Sequence, residues 1–256
     1  MAGTFSQLLR KSTNERCSRI VLALDVVGGA GRLVDRCIRI LEQTAQHICA
    51  VKLNRHVVLP LGLEKTATLV DEIHGLGLPA IMDCKLNDIG NTNQVIAKYY
   101  FDAGFDALTA NPFVGWEGGL KPVFELARRL GRGVLLLVYM SHPGASEGYG
   151  QKVLDERGGG AKPQYLVFAE KALKWRADGA IVGATYPEKI EEVKRVLGSE
   201  VPIFSPGVGV QGGRVEHAIR AGASYLVVGR SIITAESPRS AAEELKERAN
   251  RALKER

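Results

Sequence analysis

Residues 79–92 read PAIMDCKLNDIGNT. The first half is apolar, as a strand buried on both faces must be. The second half carries Asp83, Lys85 and Asp88, three charges of alternating sign. A buried strand that ends in charge is either running out into a solvated loop or delivering its charges to a site. What the other strands do at the same end decides between the two.

Seven further runs have the same apolar, β-branched character. They are IVLALDV (20–26), CAVKLN (49–54), ALTANPF (107–113), GVLLLVYMS (133–141), GAIVGAT (179–185), VPIFSPGVG (201–209) and YLVVGRSI (225–232). Segments with an apolar period near 3.6 lie between them, for example RLVDRCIRILEQTA (32–45) and EKTATLVDEIHGL (64–76). Strands joined by helices predict a parallel sheet covered on its outside. Eight strand–helix units is the count that closes a (β/α)8 TIM barrel. The expected fold class is therefore α/β, with a doubly wound open sheet as the alternative. No Pro-, Ser- or Gly-rich linker divides the chain, so residues 1–256 are expected to form one domain. Residues 1–19 precede the first strand, and TFSQLLRKSTNER within them is expected as an extra helix across the barrel bottom. HPGASEGYGQKVLDERGGGAK (142–162) is a long connection after the fifth strand. Loops of that length in compact domains are as a rule either functional or disordered.

Composition narrows the partners. Hydrophobic residues make up 45% and charged residues 24%, as in ordinary soluble domains. The net charge of +6 is scattered, with much of it on polar helix faces such as KERANRALKER, and aromatic content is only 6%. A nucleic-acid surface would cluster its basic residues in a stripe, so none is expected. A mild positive field helps to attract an anionic small molecule. Cys17, Cys37, Cys49 and Cys84 match no zinc or CxxC spacing and are expected as buried or half-buried thiols in a reducing compartment. No run approaches the length of a membrane span and no signal peptide is evident, so a cytoplasmic protein is expected.

In a (β/α)8 barrel the chemistry sits at the C-terminal ends of the strands. Those ends carry Asp25, Lys52, Asp83 with Lys85, Asn111, Ser141, Thr185, the PGVGVQGG stretch and Gly229–Arg230. Each alone reads most simply as a cap or a solvated residue; their gathering at one mouth does not. In an extended strand residues i and i+2 face the same side, so Asp83 and Lys85 are expected to touch. A lysine held between carboxylates stays charged, which makes it a fixed cation and proton donor. Past strands seven and eight, glycines allow close backbone approach, and Gln211 and Arg230 offer donors suited to phosphate. An anionic substrate is expected, with its phosphate there and its reacting end over strand three.

DCKLNDIGNT matches the D-x-K-x-x-D-I-x-N-T signature of the orotidine 5′-phosphate decarboxylase family, in which both Pro and Gly occur at the position of Gly90. MSHPGA (140–145), PGVGVQGG (206–213) and VGRSI (228–232) resemble that family's base- and phosphate-binding segments. The resemblance runs from about Val21 to Thr234; the N-terminal segment and the 142–162 connection are less typical. It implies decarboxylation of orotidine 5′-phosphate to UMP, the last step of de novo pyrimidine nucleotide synthesis, without metal or cofactor. It implies that Lys85 protonates C6 of the pyrimidine, within a charged network of Asp83, Asp88 and Lys52. It assigns Asp25 and Lys52 to the ribose hydroxyls, Ser141 to the pyrimidine amide edge, and Gln211, Gly229 and Arg230 to the phosphate. Pro206, Gly207, Val208 and Gly209 belong to the loop that closes over that phosphate. It further implies a homodimer in which Asp88 and Thr92 reach the partner's site. The rival is a sister sugar-phosphate enzyme of the same barrel group, which uses the Asp-x-Lys-x-x-Asp carboxylates to hold Mg²⁺.

Overall fold

A computed structural model describes residues 3–154 and 160–255. Its eight parallel strands are β1 (Ile20–Ala23), β2 (Ala50–Asn54), β3 (Ala80–Leu86), β4 (Ala107–Ala110), β5 (Gly133–Tyr139), β6 (Gly179–Val182), β7 (Ile203–Pro206) and β8 (Tyr225–Val228). Each pairs with its neighbour in sequence, and β1 pairs with β8 through Ile20↔Leu226 to Leu22↔Val228, which closes the barrel. An open sheet is excluded. The strands are buried nearly throughout because the barrel interior covers one face and the helical ring the other.

The helix Phe5–Arg16 lies against the N-terminal ends of the strands. Its first N–H, on Phe5, donates to Gly131 O at 2.9 Å. Ser12 Oγ donates to Cys49 O, and the Arg16 guanidinium reaches Ala45 O and Leu76 O. Phe5 packs so closely on Gly133 that a Cβ there would stand 2.4 Å from its ring. Glycine at the start of β5 is what lets the helix seat.

Three features differ from expectation. The helix after β2 begins at Arg55, not Glu64, and is broken at Gly62 (φ 70°, ψ 170°) just past Pro60. Proline and glycine in its first half hide the helical period from the sequence. The connection after β5 contains a short helix, Ala145–Gly148, and an antiparallel ribbon that pairs Lys152–Leu154 with Ala161–Pro163. Residues 155–159 of that connection lie outside the described residues. Cys17 is exposed, whereas Cys37, Cys49 and Cys84 are buried, and burial pushes each of those three thiols up to about 12. Among the described residues no helix is long and apolar enough to cross a membrane.

Candidate active site

The C-terminal ends of the strands enclose a cavity of about 410 Å³. Asp25, Lys52, Asp83, Lys85, Ser141, Pro206, Gly207, Val208, Gln211, Gly229 and Arg230 all line it. Of the other expected residues, Gly209 stands in the same loop but off the cavity wall, and neither Asp88 nor Thr92 lines it.

Asp83 is the centre of the polar floor. Its Oδ1 accepts from Lys85 Nζ at 2.8 Å and from Thr109 Oγ1 at 2.9 Å. Its Oδ2 accepts from Lys52 Nζ at 2.9 Å and from Asn54 Nδ2 at 3.4 Å. Burial alone would raise the Asp83 carboxyl, but Lys52 and Lys85 outweigh it and hold the group far below the usual carboxylate range. Burial alone would likewise lower Lys52; Asp83 and Asp25 outweigh it and leave that ammonium above its ordinary value. Asp25 stands 3.6 Å from Lys52 Nζ, and its Oδ1 is buried without a hydrogen-bond partner. The Asp25 side chain lines the cavity wall beside Lys52.

Asp83 and Lys85 touch, but not for the reason that strand alternation suggests. Met82 pairs with Leu108 and Leu86 with Ala110, so β3 uses four residues where β4 uses two. Lys85 sits in the resulting bulge with φ of 49°, a left-handed conformation. The bulge re-aims the lysine, as bulges beside active sites commonly do. Thr109 and Asn54, which complete the shell of Asp83, were not singled out in the sequence. A polar residue at the last turn of an otherwise apolar strand was the only available signal.

Two strand-end residues serve the scaffold. Asn111 accepts from the Phe113 N–H and caps the turn Pro112–Val114. Thr185 Oγ1 donates to Ser141 O at 3.0 Å, which fixes the backbone that presents Ser141. Asp88 is exposed, and its carboxylate accepts from the Ile89 N–H at 2.7 Å. Asn93, fully buried, grips both the N–H and the C=O of Asp88. Within one chain Asp88 therefore stands outside the Asp83–Lys85 pair. Next to it Ile89 is 67% exposed, and the helix Gly90–Asp102 that follows exposes Val95 (50%) and Tyr99 (55%).

At the far end of the cavity, the loop Pro206–Gly213 folds on itself through Gly209 N–Gly213 O and Gly213 N–Gly207 O. Gly207, Gly209 and Gly212 all have positive φ. A Cβ at Gly209 would meet Ser231 Oγ at 2.1 Å, so this turn tolerates only glycine there. Ser141 Oγ donates to Gln211 Oε1 at 2.7 Å, which ties the loop to the end of β5. Arg230 is exposed at the cavity edge, and among the described residues its guanidinium has no carboxylate partner. One end of the cavity thus holds a carboxylate with two ammonium groups, and the other an unpaired guanidinium beside a glycine-rich loop. Among the described residues no group of three or more His, Cys, Asp or Glu side chains is arranged to hold a metal ion.

Comparison with known proteins agrees with this architecture. The profile of the orotidine 5′-phosphate decarboxylase / HUMPS family matches residues 18–245. The chain is 39% identical over 230 residues to the orotidine 5′-phosphate decarboxylase of Thermococcus kodakarensis, covering 90% of this chain and 96% of that one. The crystal structure of the Pyrococcus horikoshii orotidine 5′-phosphate decarboxylase superposes with a TM-score of 0.74 at 34% identity, over 90% of this chain and 98% of that one. The Methanocaldococcus jannaschii orotidine 5′-monophosphate decarboxylase, solved in complex with the inhibitor BMP, gives a TM-score of 0.77 at 28% identity over 91% and 98%. The matched span takes in the whole barrel and every residue of the cavity, and the chain belongs to the orotidine 5′-phosphate decarboxylase / HUMPS family.

Proposed function

We propose that this chain converts orotidine 5′-phosphate (OMP) to UMP and CO₂, the last step of de novo pyrimidine nucleotide synthesis, without metal or cofactor. One observation carries the reading: Lys85 is paired to a buried carboxylate at one end of a cavity whose other end presents Arg230 and Gln211. The names of the relatives point the same way.

Loss of CO₂ from OMP breaks the bond at C6 and leaves its electron pair on a carbon with no adjacent π-sink. A fixed ammonium attracts that developing carbanion more strongly than it attracts the neutral carbon. Preorganised charge of this kind is often the largest catalytic contribution. Lys85 then gives its proton to C6 and is recharged from solvent. Asp83 keeps Lys85 and Lys52 in place. Lys52 and Asp25 take ribose hydroxyls, and Ser141 reads the amide edge of the base. Gln211, Gly229 and Arg230 hold the phosphate, with Pro206, Gly207, Val208 and Gly209 in the closing loop. Phosphate binding far from C6 contributes to the barrier through that closure.

Asp88 and Thr92 act in the site of a second copy in a homodimer. Asp88 is exposed and Thr92 half-buried at the start of the helix that also exposes Val95 and Tyr99, and exposed apolar side chains suit an interface. The Mg²⁺-dependent sugar-phosphate reaction is disfavoured by the coordination of Asp83. Two lysines, a threonine and an asparagine already occupy its oxygens, so a metal would have to displace them. The test is ultraviolet absorbance of OMP mixed with purified protein in excess EDTA. Turnover in EDTA supports the proposal; no turnover of OMP with or without Mg²⁺ overturns it.

A further inference from the structure

Thr109 is 1% exposed, on β4, opposite the bulge that carries Lys85. Its hydroxyl has one proton, and gives it to Asp83 Oδ1 at 2.9 Å. The Thr109 hydroxyl oxygen itself accepts the backbone N–H of Lys85 at 2.9 Å. That N–H stands within the irregular stretch of the β3–β4 pairing, where the regular ladder is interrupted. Lys85 Nζ in turn grips the very carboxylate oxygen that Thr109 holds. One hydroxyl thus fixes both ends of Lys85: its main chain directly, and its ammonium through Asp83 Oδ1.

Lysine avoids the left-handed conformation, because its Cβ crowds the following carbonyl oxygen. Such a conformation persists only where the surroundings over-determine it. The Thr109 hydroxyl is the group that bonds to the bulge at Lys85 itself; the other donors to Asp83, from Lys52 and Asn54, bind its second oxygen and do not touch the Lys85 backbone.

We infer that Thr109 is a positioning residue for Lys85: its hydroxyl locks the left-handed bulge and so aims the ammonium across the cavity. This rests on the reaction proposed above. The role is specific to the hydroxyl, so valine, with nearly the same shape, removes it and serine keeps it.

The experiment compares Thr109→Val and Thr109→Ser in the full chain, with kinetics on OMP and crystal structures of both variants. A displacement of about 1 Å at a reacting group costs on the order of a hundredfold. Thr109→Val is expected to lower kcat by about a hundredfold while KM moves less than about threefold, and Thr109→Ser to retain kcat within about threefold. In the Thr109→Val crystal, Lys85 is expected to leave the left-handed region and to lose its contact with Asp83 Oδ1. Unchanged kcat in Thr109→Val overturns the inference, as does an equal loss in Thr109→Ser. An unmoved Lys85 in the Thr109→Val crystal overturns it as well. If the wild-type chain fails to turn over OMP, the proposed reaction falls, while the position of Lys85 in the variant still decides the role of Thr109.

Discussion

Lys85 reaches Oδ1 of Asp83 at 2.8 Å from a backbone with φ of 49°. A non-glycine residue in that region costs about 1–2 kcal/mol. The ion pair and the Thr109 bond offset that cost and leave the ammonium with little freedom. A cation held this way needs no reorganisation as charge develops on a substrate, which is what electrostatic catalysis requires.

Lys85→Ala should therefore abolish turnover while leaving nucleotide binding intact. Removing a single preorganised stabilising group typically costs about 3 kcal/mol or more, and in the proposed reaction Lys85 is also the proton donor, so a loss above about a thousandfold is expected. UMP titration by calorimetry should give a dissociation constant within about tenfold of wild type, because the phosphate grip is untouched. Full decarboxylase activity in the variant would remove Lys85 from the mechanism and leave a barrel that only binds nucleotide.

Asp83→Asn strands two lysines without their shared countercharge. Breaking a buried ion pair from one side costs about 3–5 kcal/mol, which chemical denaturation at neutral pH would read. The pH dependence has a definite sign. The folded Asp83 carboxyl lies far below its ordinary 3.8. Its contribution is full above that ordinary value and is lost as pH falls towards the depressed one. Lys52 is raised above its ordinary 10.5, so its contribution is full below that value and is lost as pH climbs through the raised one. The gap between wild type and variant should stay flat from about pH 5 to about pH 10 and narrow outside that window. A gap that narrows near pH 7 would contradict this account.

The barrel was legible because every strand is a short apolar run with burial on both faces, and the spacing between runs leaves room for one helix. The charged mouth was legible for the opposite reason: Asp83, Lys85 and Arg230 end runs in which nothing else is charged. Thr109 was hidden because a β-branched threonine is an ordinary strand residue. Only the register of β3 against β4 places its hydroxyl over the bulge, and register is non-local. The conformation of Lys85 was hidden likewise, since two-residue spacing predicts the contact with Asp83 from a regular strand. Asn111 ends its strand as a site residue would, but its side chain accepts the Phe113 N–H and serves the turn. The ribbon Lys152–Leu154 with Ala161–Pro163 was unreadable because each strand is too short to show alternation.

Arg230 offers a fork with no carboxylate to neutralise it among the described residues, so its charge is available for phosphate. A charge-assisted hydrogen bond contributes about 1.5–3 kcal/mol, and Arg230→Ala should lower kcat/KM for OMP by about a hundredfold. The same substitution should change kcat/KM for the dephosphorylated nucleoside by less than about threefold, because the lost contact is to phosphate. The nucleoside itself should be a far poorer substrate than the nucleotide for the wild-type chain. Equal loss on both substrates would assign Arg230 to the fold instead of the phosphate, and equal kcat/KM for both in wild type would dismiss the role of phosphate altogether.

Asp88 and Lys85 are three residues apart in sequence, yet only Lys85 lines the cavity. Asn93 clamps the Asp88 backbone so that its carboxylate stays outside the Asp83 cluster. If Asp88 serves the neighbouring subunit, two inactive variants should rescue each other. Lys85→Ala supplies an intact Asp88, and Asp88→Ala supplies an intact Lys85. Each mixed dimer then contains one site with both residues native and one with neither. Random reassortment makes half of the dimers mixed, so an equimolar mixture unfolded and refolded together should recover about a quarter of wild-type activity. If Asp88 acted within its own chain, every site in every dimer would carry a defect and the mixture would stay as inactive as its parts. The rate of OMP loss before and after mixing separates the two arrangements, and a monomeric chain in sedimentation would exclude the shared site directly.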